Sequence, residues 1–230
     1  MKWRGVGEQQ GNETGMPLSL RLAERRSMIE QYVPAPTQAA TRRAVEEIQA
    51  SGLLTQVVSV GAQITQFELS DQNGNSVSSH ELLTRGGLVL TFFRGRWCPY
   101  CVTELETWRD LYPAVRERGA LIAAISPQTI RQSDFMQGQH DIPFPLLNDD
   151  GCQYAEQFGL VYTIPQYHQQ HYRSVLVNLP FVNGDQSWKL ILPATYVVDS
   201  NGTILFAEAH ADFRVRPEPD EVMRYLPARR

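Results

Sequence analysis

Two cysteines two residues apart, Cys98 and Cys101, lie in the run Arg94-Gly95-Arg96-Trp97-Cys98-Pro99-Tyr100-Cys101. An apolar stretch from Gly87 to Phe93 precedes the run, and a long helical pattern follows it. Cys98 therefore falls at a helix N-terminus, where unsatisfied backbone N–H groups and a partial positive charge favour a thiolate over a thiol. The thiolate is the nucleophile of thiol chemistry. A second thiol one turn on can attack the mixed disulfide or sulfenic acid formed on the first. Cys98 is thus the candidate attacking thiol and Cys101 the resolving one. Pro99 sits where a missing N–H costs nothing. Arg94 and Arg96 place positive charge just upstream, although such residues more often serve as plain surface charge.

Other candidates weigh less. A structural zinc site needs further Cys or His ligands at suitable spacing, and no second cysteine pair exists, so neither metal nor cofactor is expected. Cys152 follows Asp149-Asp150-Gly151 at a predicted helix start; it reads as a bystander thiol ahead of a distal resolving cysteine. His168 and His171, three apart in a predicted helix, lack a third ligand and read as surface or core histidines. Asn201-Gly202-Thr203 is a turn rather than a glycosylation site.

The 230 residues are enough for one domain with an appendage, and the net charge of -4 gives no surplus of cations for nucleic acid. No stretch has the length of a membrane span, and residues 1–20 lack the apolar core of a signal peptide. Three cysteines are too few for a disulfide framework, so the chain reads as cytoplasmic.

The elements that must position the pair follow from periodicity. Residues 1–15 are expected to be disordered, with Met16 a possible true start. Residues 16–56 form a helical arm, with one helix over Leu18 to Tyr32 and another that starts at an N-cap on Thr37 and ends near Ser51 before Gly52. The arm packs on its own domain or on a second subunit, which makes a homodimer an option. Residues 57–230 turn to α/β, with a strand over Gln66 to Leu69, a turn over Asp71 to Asn75 and a short partner strand. After the apolar strand comes the cysteine-led helix, kinked at Pro113 and ended by Gly119. A second buried strand spans Ala120 to Ile125. A helix from Thr129, a strand end at Phe144 to Leu147 and a short helix near Cys152 to Phe158 precede a long connection through Gly184. Two strands joined by Asp199-Ser200-Asn201-Gly202 and a last helix from Glu218 close the chain. This order is that of a thioredoxin fold, an α/β central mixed sheet flanked by helices, with Cys98 at one sheet edge.

Trp97-Cys98-Pro99-Tyr100-Cys101 resembles the redox motif of thioredoxins, with the Pro-Tyr centre of glutaredoxins. With Val60 to Phe67, Ile125-Ser126-Pro127-Gln128-Thr129, Leu192 to Asp199 and Ala211-Asp212-Phe213, the chain resembles the peroxiredoxin-like branch of the alkyl hydroperoxide reductase/thiol-specific antioxidant family over about Ala50 to Leu226. The resemblance implies peroxide reduction and gives Trp97, Pro99, Arg94, Arg96, Thr91 and Pro193 as supporting residues around Cys98 and Cys101. It also implies that Pro193 is cis and faces the pair. Two positions depart from the family pattern Pro-x-x-x-Thr-x-x-Cys: Gly95 stands for the threonine that holds the peroxide, and Thr91 stands for the proline. That departure counts against peroxidase activity, while the family match counts for it.

Three functions remain open at this point, with the peroxide reductase ranked first. In it, Cys98 attacks the O–O bond, Cys101 condenses with the sulfenic acid, and an external dithiol from a thioredoxin-like or glutathione system restores the pair. The second is a protein dithiol–disulfide oxidoreductase with the same two residues. The third is a redox sensor without catalysis. Peroxide or disulfide is the expected substrate, with neither nucleic acid nor membrane as partner.

Overall fold

The computed structural model describes residues 15–227, so the expectation for residues 1–15 falls, Gly15 apart, outside them. The chain opens with helices α1 (Leu18–Tyr32) and α2 (Ala35–Ala50). A hairpin of β1 (Glu68–Ser70) and β2 (Ser76–Ser78) leads to α3 (Ser79–Thr84), β3 (Gly87–Phe92), α4 (Pro99–Glu117) and β4 (Ala120–Ser126). Then come α5 (Ile130–His140), β5 (Leu146–Asn148), α6 (Gln153–Gln157), β6 (Val161–Thr163), α7 (Gln166–Ser174), α8 (Leu179–Asn183) and β7 (Lys189–Ile191). The chain closes with β8 (Ala194–Val198), β9 (Ile204–Ala209) and the single turn α9 (Pro219–Val222).

Among the described residues, seven strands form one mixed sheet in the order β2-β1-β5-β4-β3-β8-β9. Strands β3 and β4 are buried along their whole length and pair in parallel, as continuous apolar runs require. Their side chains alternate between two cores. Val89 and Phe93 of the β3 run face α1, α4 and α5, whereas Leu88, Leu90 and Phe92 face α3 and α6. Strand β8 pairs antiparallel with β3 and sets Thr195 opposite Thr91. Both threonines thereby face α4 from adjacent strands.

The arm is tied to the rest of the chain at three places. Buried Arg21 of α1 donates to Thr107 Oγ1 at 2.7 Å and lies 3.7 Å from Glu106 and 3.6 Å from Asp110 on α4. The Glu218 carboxylate accepts from the first backbone N–H groups of α1, those of Leu18 at 3.0 Å and Ser19 at 2.7 Å. From α2, Glu47 accepts from the Tyr167 hydroxyl at 2.6 Å, and Arg43 stacks over the Tyr167 ring at 4.2 Å.

Several boundaries differ from expectation, for local reasons. Helix α2 starts at Ala35 rather than after Thr37, because Pro34 takes the N-cap and Pro36 fits a first turn that needs no N–H. Helix α4, by contrast, runs through Pro113 to Glu117 and stops before Gly119, as expected. The long connection through Gly184 holds more order than the one helix expected around His168 and His171. It folds into the β6–β7 ribbon with α7 and α8 between its strands, and it encloses an apolar cluster of Ile164, Tyr172, Leu179 and Leu190.

At Gly86 the entry to β3 passes against the end of α4. Its φ is +139°, and a Cβ added there would lie 1.9 Å from the Gly119 carbonyl oxygen. Gly86→Ala is therefore expected to cost roughly 2–4 kcal/mol, because the obstacle is backbone and cannot rotate away. Urea unfolding measures this; a loss below about 0.5 kcal/mol, the size of an ordinary surface change, would contradict the close approach.

Candidate active site

Cys98 is the N-cap of α4, and Pro99 is its first helical residue. The Cys98 carbonyl accepts from the Val102 N–H at 3.1 Å, which starts the helix, and the Cys98 N–H donates to the Gly95 carbonyl at 3.1 Å. Cys101 follows one turn along on the inner face of the helix. Both thiols are free and buried, with Cys98 1% exposed and Cys101 fully enclosed.

Charged side chains surround the pair. Arg94, itself 1% exposed, brings Nη1 to 3.9 Å from Cys98 Sγ, and its backbone N–H donates to Cys101 Sγ at 3.5 Å. Arg216, from the segment after β9, donates Nη2–H to Cys101 Sγ at 3.3 Å and pairs through Nε with the Glu104 carboxylate. Glu104 stands one turn beyond Cys101 on α4 and accepts from Thr91 Oγ1 at 3.3 Å and Thr195 Oγ1 at 3.4 Å. The β3–β8 register that aligns the two threonines thus closes a network around one buried carboxylate.

The charges in this network explain the ionisation. Two guanidinium groups and one carboxylate leave an apolar interior one positive charge in excess, and a Cys98 thiolate makes it neutral. Burial by itself pushes the Cys98 thiol up. The Cys101 hydrogen bond and the charges of Arg94 and Arg216 outweigh it and bring Cys98 down to about 5. Cys101 moves well above the ordinary thiol range, through burial, its hydrogen bond to Cys98 and the charge there. Burial also raises Glu104, against the opposing pull of Arg216. One thiol is ionised and its neighbour is protonated, the division of labour that attack and resolution need.

A roof of aromatic side chains covers Cys98. The Arg94 guanidinium lies 3.9 Å from the Phe213 ring centre and 4.8 Å from that of Trp97. Tyr172 of α7 packs its ring edge-on against Trp97, with centroids 5.3 Å apart, and accepts a short hydrogen bond from Arg94 Nη2. His168 lies beside Tyr172 at 4.7 Å and is pushed down to about 4 by burial, Arg94 and His171. The two histidines are parts of the roof helix.

Of the residues singled out from the sequence, Arg94, Trp97, Pro99 and Thr91 gather with Cys98 and Cys101. Arg96 turns away towards α5, where its N–H donates to Gln128 Oε1 at 2.8 Å, its Nε bonds Gln132 and its guanidinium stacks on Phe135. Pro193 is buried just before β8, but no peptide bond among the described residues is cis, which corrects the expectation drawn for it. Cys152 belongs to the core on the opposite sheet face, and burial with Asp149 pushes it up to about 12. It stands apart from Cys98. Glu104, Tyr172 and Arg216 escaped the sequence reading. Glu104 left one signal, a carboxylate at i+3 from Cys101 on the apolar stripe of α4.

Residues 60–207, more than half of the chain, match the model of the AhpC/TSA family. The chain belongs to the AhpC/TSA family. This member is similar to the chloroplastic peroxiredoxin Q of Gentiana triflora, at 25% identity over 169 residues that cover 74% of this chain and 67% of that one. It is similar to peroxiredoxin Bcp of Bacillus subtilis at 29% over 103 residues, 45% of this chain and 65% of the relative. Thiol-disulfide oxidoreductase ResA of Bacillus thuringiensis subsp. konkukian is 27% identical over 104 residues, 44% of this chain; the chain spans 58% of that relative's length. In three dimensions it resembles peroxidoxin BcpB from Mycobacterium tuberculosis, with a TM-score of 0.58, 22% identity and coverage of 73% and 96%. The fold is thus thioredoxin-like, as expected from the order of the elements.

With Cys98 at about 5, its thiolate is complete at pH 7 and disappears as the pH falls through 5. Thiolate absorbance near 240 nm should follow that titration, and Arg94→Met should move the midpoint up towards the ordinary thiol range of about 8.5. A wild-type midpoint at that ordinary value would contradict the charge argument.

Proposed function

We propose that this AhpC/TSA family member is a thiol-dependent peroxide reductase in which Cys98 attacks and Cys101 resolves. The observation that carries the reading is a buried Cys98 with Arg94 Nη1 3.9 Å from its Sγ, the same guanidinium being packed against Trp97, Phe213 and Tyr172. Such burial suits a small hydroperoxide as substrate. The disulfide of a folded protein needs the roof removed first, because its own backbone must approach the sulfur it offers. Cys98 Sγ⁻ attacks one oxygen of the peroxide; the S–O bond forms as the O–O bond breaks, and the other oxygen leaves with the electron pair. The Cys101 thiol then displaces water from the Cys98 sulfenic acid, giving an intramolecular disulfide. An external dithiol, of a thioredoxin or glutathione system, accepts the disulfide bond and returns both thiols. A reducing compartment such as the cytoplasm suits this cycle. Residues 57–230 are the redox domain in this reading, and 16–56 are an arm that braces its roof through Tyr167.

Protein dithiol–disulfide exchange is the second reading, favoured by the resolving thiol one turn from the nucleophile and by the likeness to ResA. Rapid mixing of reduced protein with hydrogen peroxide, and separately with a disulfide substrate, separates the two. The peroxide reaction is expected to outpace that of a free thiol and to vanish in Cys98→Ser. Cys101→Ser should stop at the sulfenic acid, trapped by a dimedone reagent. A peroxide rate no greater than that of free glutathione, with rapid disulfide exchange, would transfer the assignment to the second reading.

A further inference from the structure

Gly95 has no side chain to hold a peroxide, and the structure leaves no space for one. Its φ is +136°, and an added Cβ would lie 2.7 Å from Trp97 Nε1 and 3.4 Å from Gln128 Oε1. The indole N–H itself fills the position above Gly95. It is buried and has no hydrogen-bond partner among the described residues, and neither has Arg94 Nε–H, on the guanidinium that faces Cys98. Buried donors are almost always paired in folded proteins, so two unpaired ones on adjoining side chains beside one thiolate mark a place for an oxygen ligand.

Tyr172 adds a third donor from a different part of the chain. The same planar guanidinium that turns Nη1 towards Cys98 Sγ turns Nη2 to the Tyr172 hydroxyl, which accepts that bond. The hydroxyl hydrogen is then free to donate, and no described residue takes it. Burial, chiefly, holds this phenol above its ordinary range, so it carries its proton at neutral pH. Edge-on contact with Trp97 fixes the ring in place.

We propose that Tyr172 is a catalytic residue of the peroxide reduction: its hydroxyl donates to the oxygen that leaves when Cys98 attacks. This inference rests on the peroxide reading above. The substrate class is a small hydroperoxide, one oxygen of which meets Cys98 Sγ while the other meets Tyr172, with Trp97 Nε1–H and Arg94 Nε–H as companion donors. As the O–O bond breaks, sulfur is oxidised to the sulfenic acid and the leaving oxygen is reduced to an alkoxide or hydroxide. That anion takes the Tyr172 proton to give alcohol or water. The tyrosinate, held against Arg94, regains a proton from solvent.

Tyr172→Phe keeps the ring and deletes only the hydroxyl. Stopped-flow reaction with hydrogen peroxide is compared with alkylation of Cys98 by iodoacetamide, which needs the thiolate but has no oxygen leaving group. The peroxide rate constant is expected to fall by about a hundredfold, the lower end of general-acid contributions. Alkylation rate and its pH midpoint should stay at the wild-type values. A peroxide rate within twofold of wild type would overturn the assignment, as would a parallel fall in alkylation, which would make Tyr172 a support for Arg94 alone. Wild-type protein no faster towards peroxide than free glutathione would instead strike at the peroxide reading itself, and that failure is visible before any variant is made.

Discussion

An uncompensated positive charge in an apolar interior is the constraint on which the site depends. Arg94 and Arg216 are both buried, and among the described residues Glu104 is the carboxylate that pairs with Arg216, while none pairs with Arg94. Taking two guanidinium groups out of water is costly, and one carboxylate offsets only part of that cost. Ionising Cys98 supplies the missing negative charge. The thiolate is thus as much a structural requirement of the cluster as a product of its position at a helix end. Cys101, held by the same arginines but beside an existing negative charge, keeps its proton.

The fold serves this cluster by bringing together pieces far apart in the chain. Strand β3 and helix α4 deliver the thiols, Thr91 and Glu104; strand β8 adds Thr195 through its pairing register. The segment beyond β9 adds Phe213 and Arg216. It is stiffened by the two-pronged contact between Asp212 and Arg214, at 2.7 and 2.8 Å. The β6–β7 ribbon carries α7 across the top, and α2 grips α7 from outside through Glu47 and Arg43. Each layer removes water from around Cys98, which strengthens the electrostatic terms that ionise it.

Burial also separates this arrangement from an open dithiol site. In an exposed Cys-x-x-Cys pair the helix end alone lowers the first thiol, and any partner disulfide can approach. Here the helix end is one contribution among several, and the surrounding side chains restrict what reaches the sulfur. The aromatic roof is tied to Arg94 and Trp97 through Tyr172. Its outer loop is more exposed, with Leu176 94% accessible and held at a φ of +62°.

Local sequence was enough to find the two thiols, the strand before them and the helix they open. Those features follow from apolar runs, a proline at the first helical position and glycines at turns, all set within a few residues. Hence the α/β order, the buried parallel strands and Gly52 and Gly119 as helix stops were legible. Where the reading slipped, at the start of α2 and in the stretch through Gly184, proline chemistry and tertiary packing chose between alternatives that local pattern leaves equal. Sequence alone singled out Cys98 as the candidate for thiol chemistry. Only the tertiary structure decided what surrounds it, because Arg216 and Tyr172 stand 115 and 78 residues from the groups they bond, Cys101 and Arg94. No periodicity spans such distances; the sheet register and the path of the ribbon do.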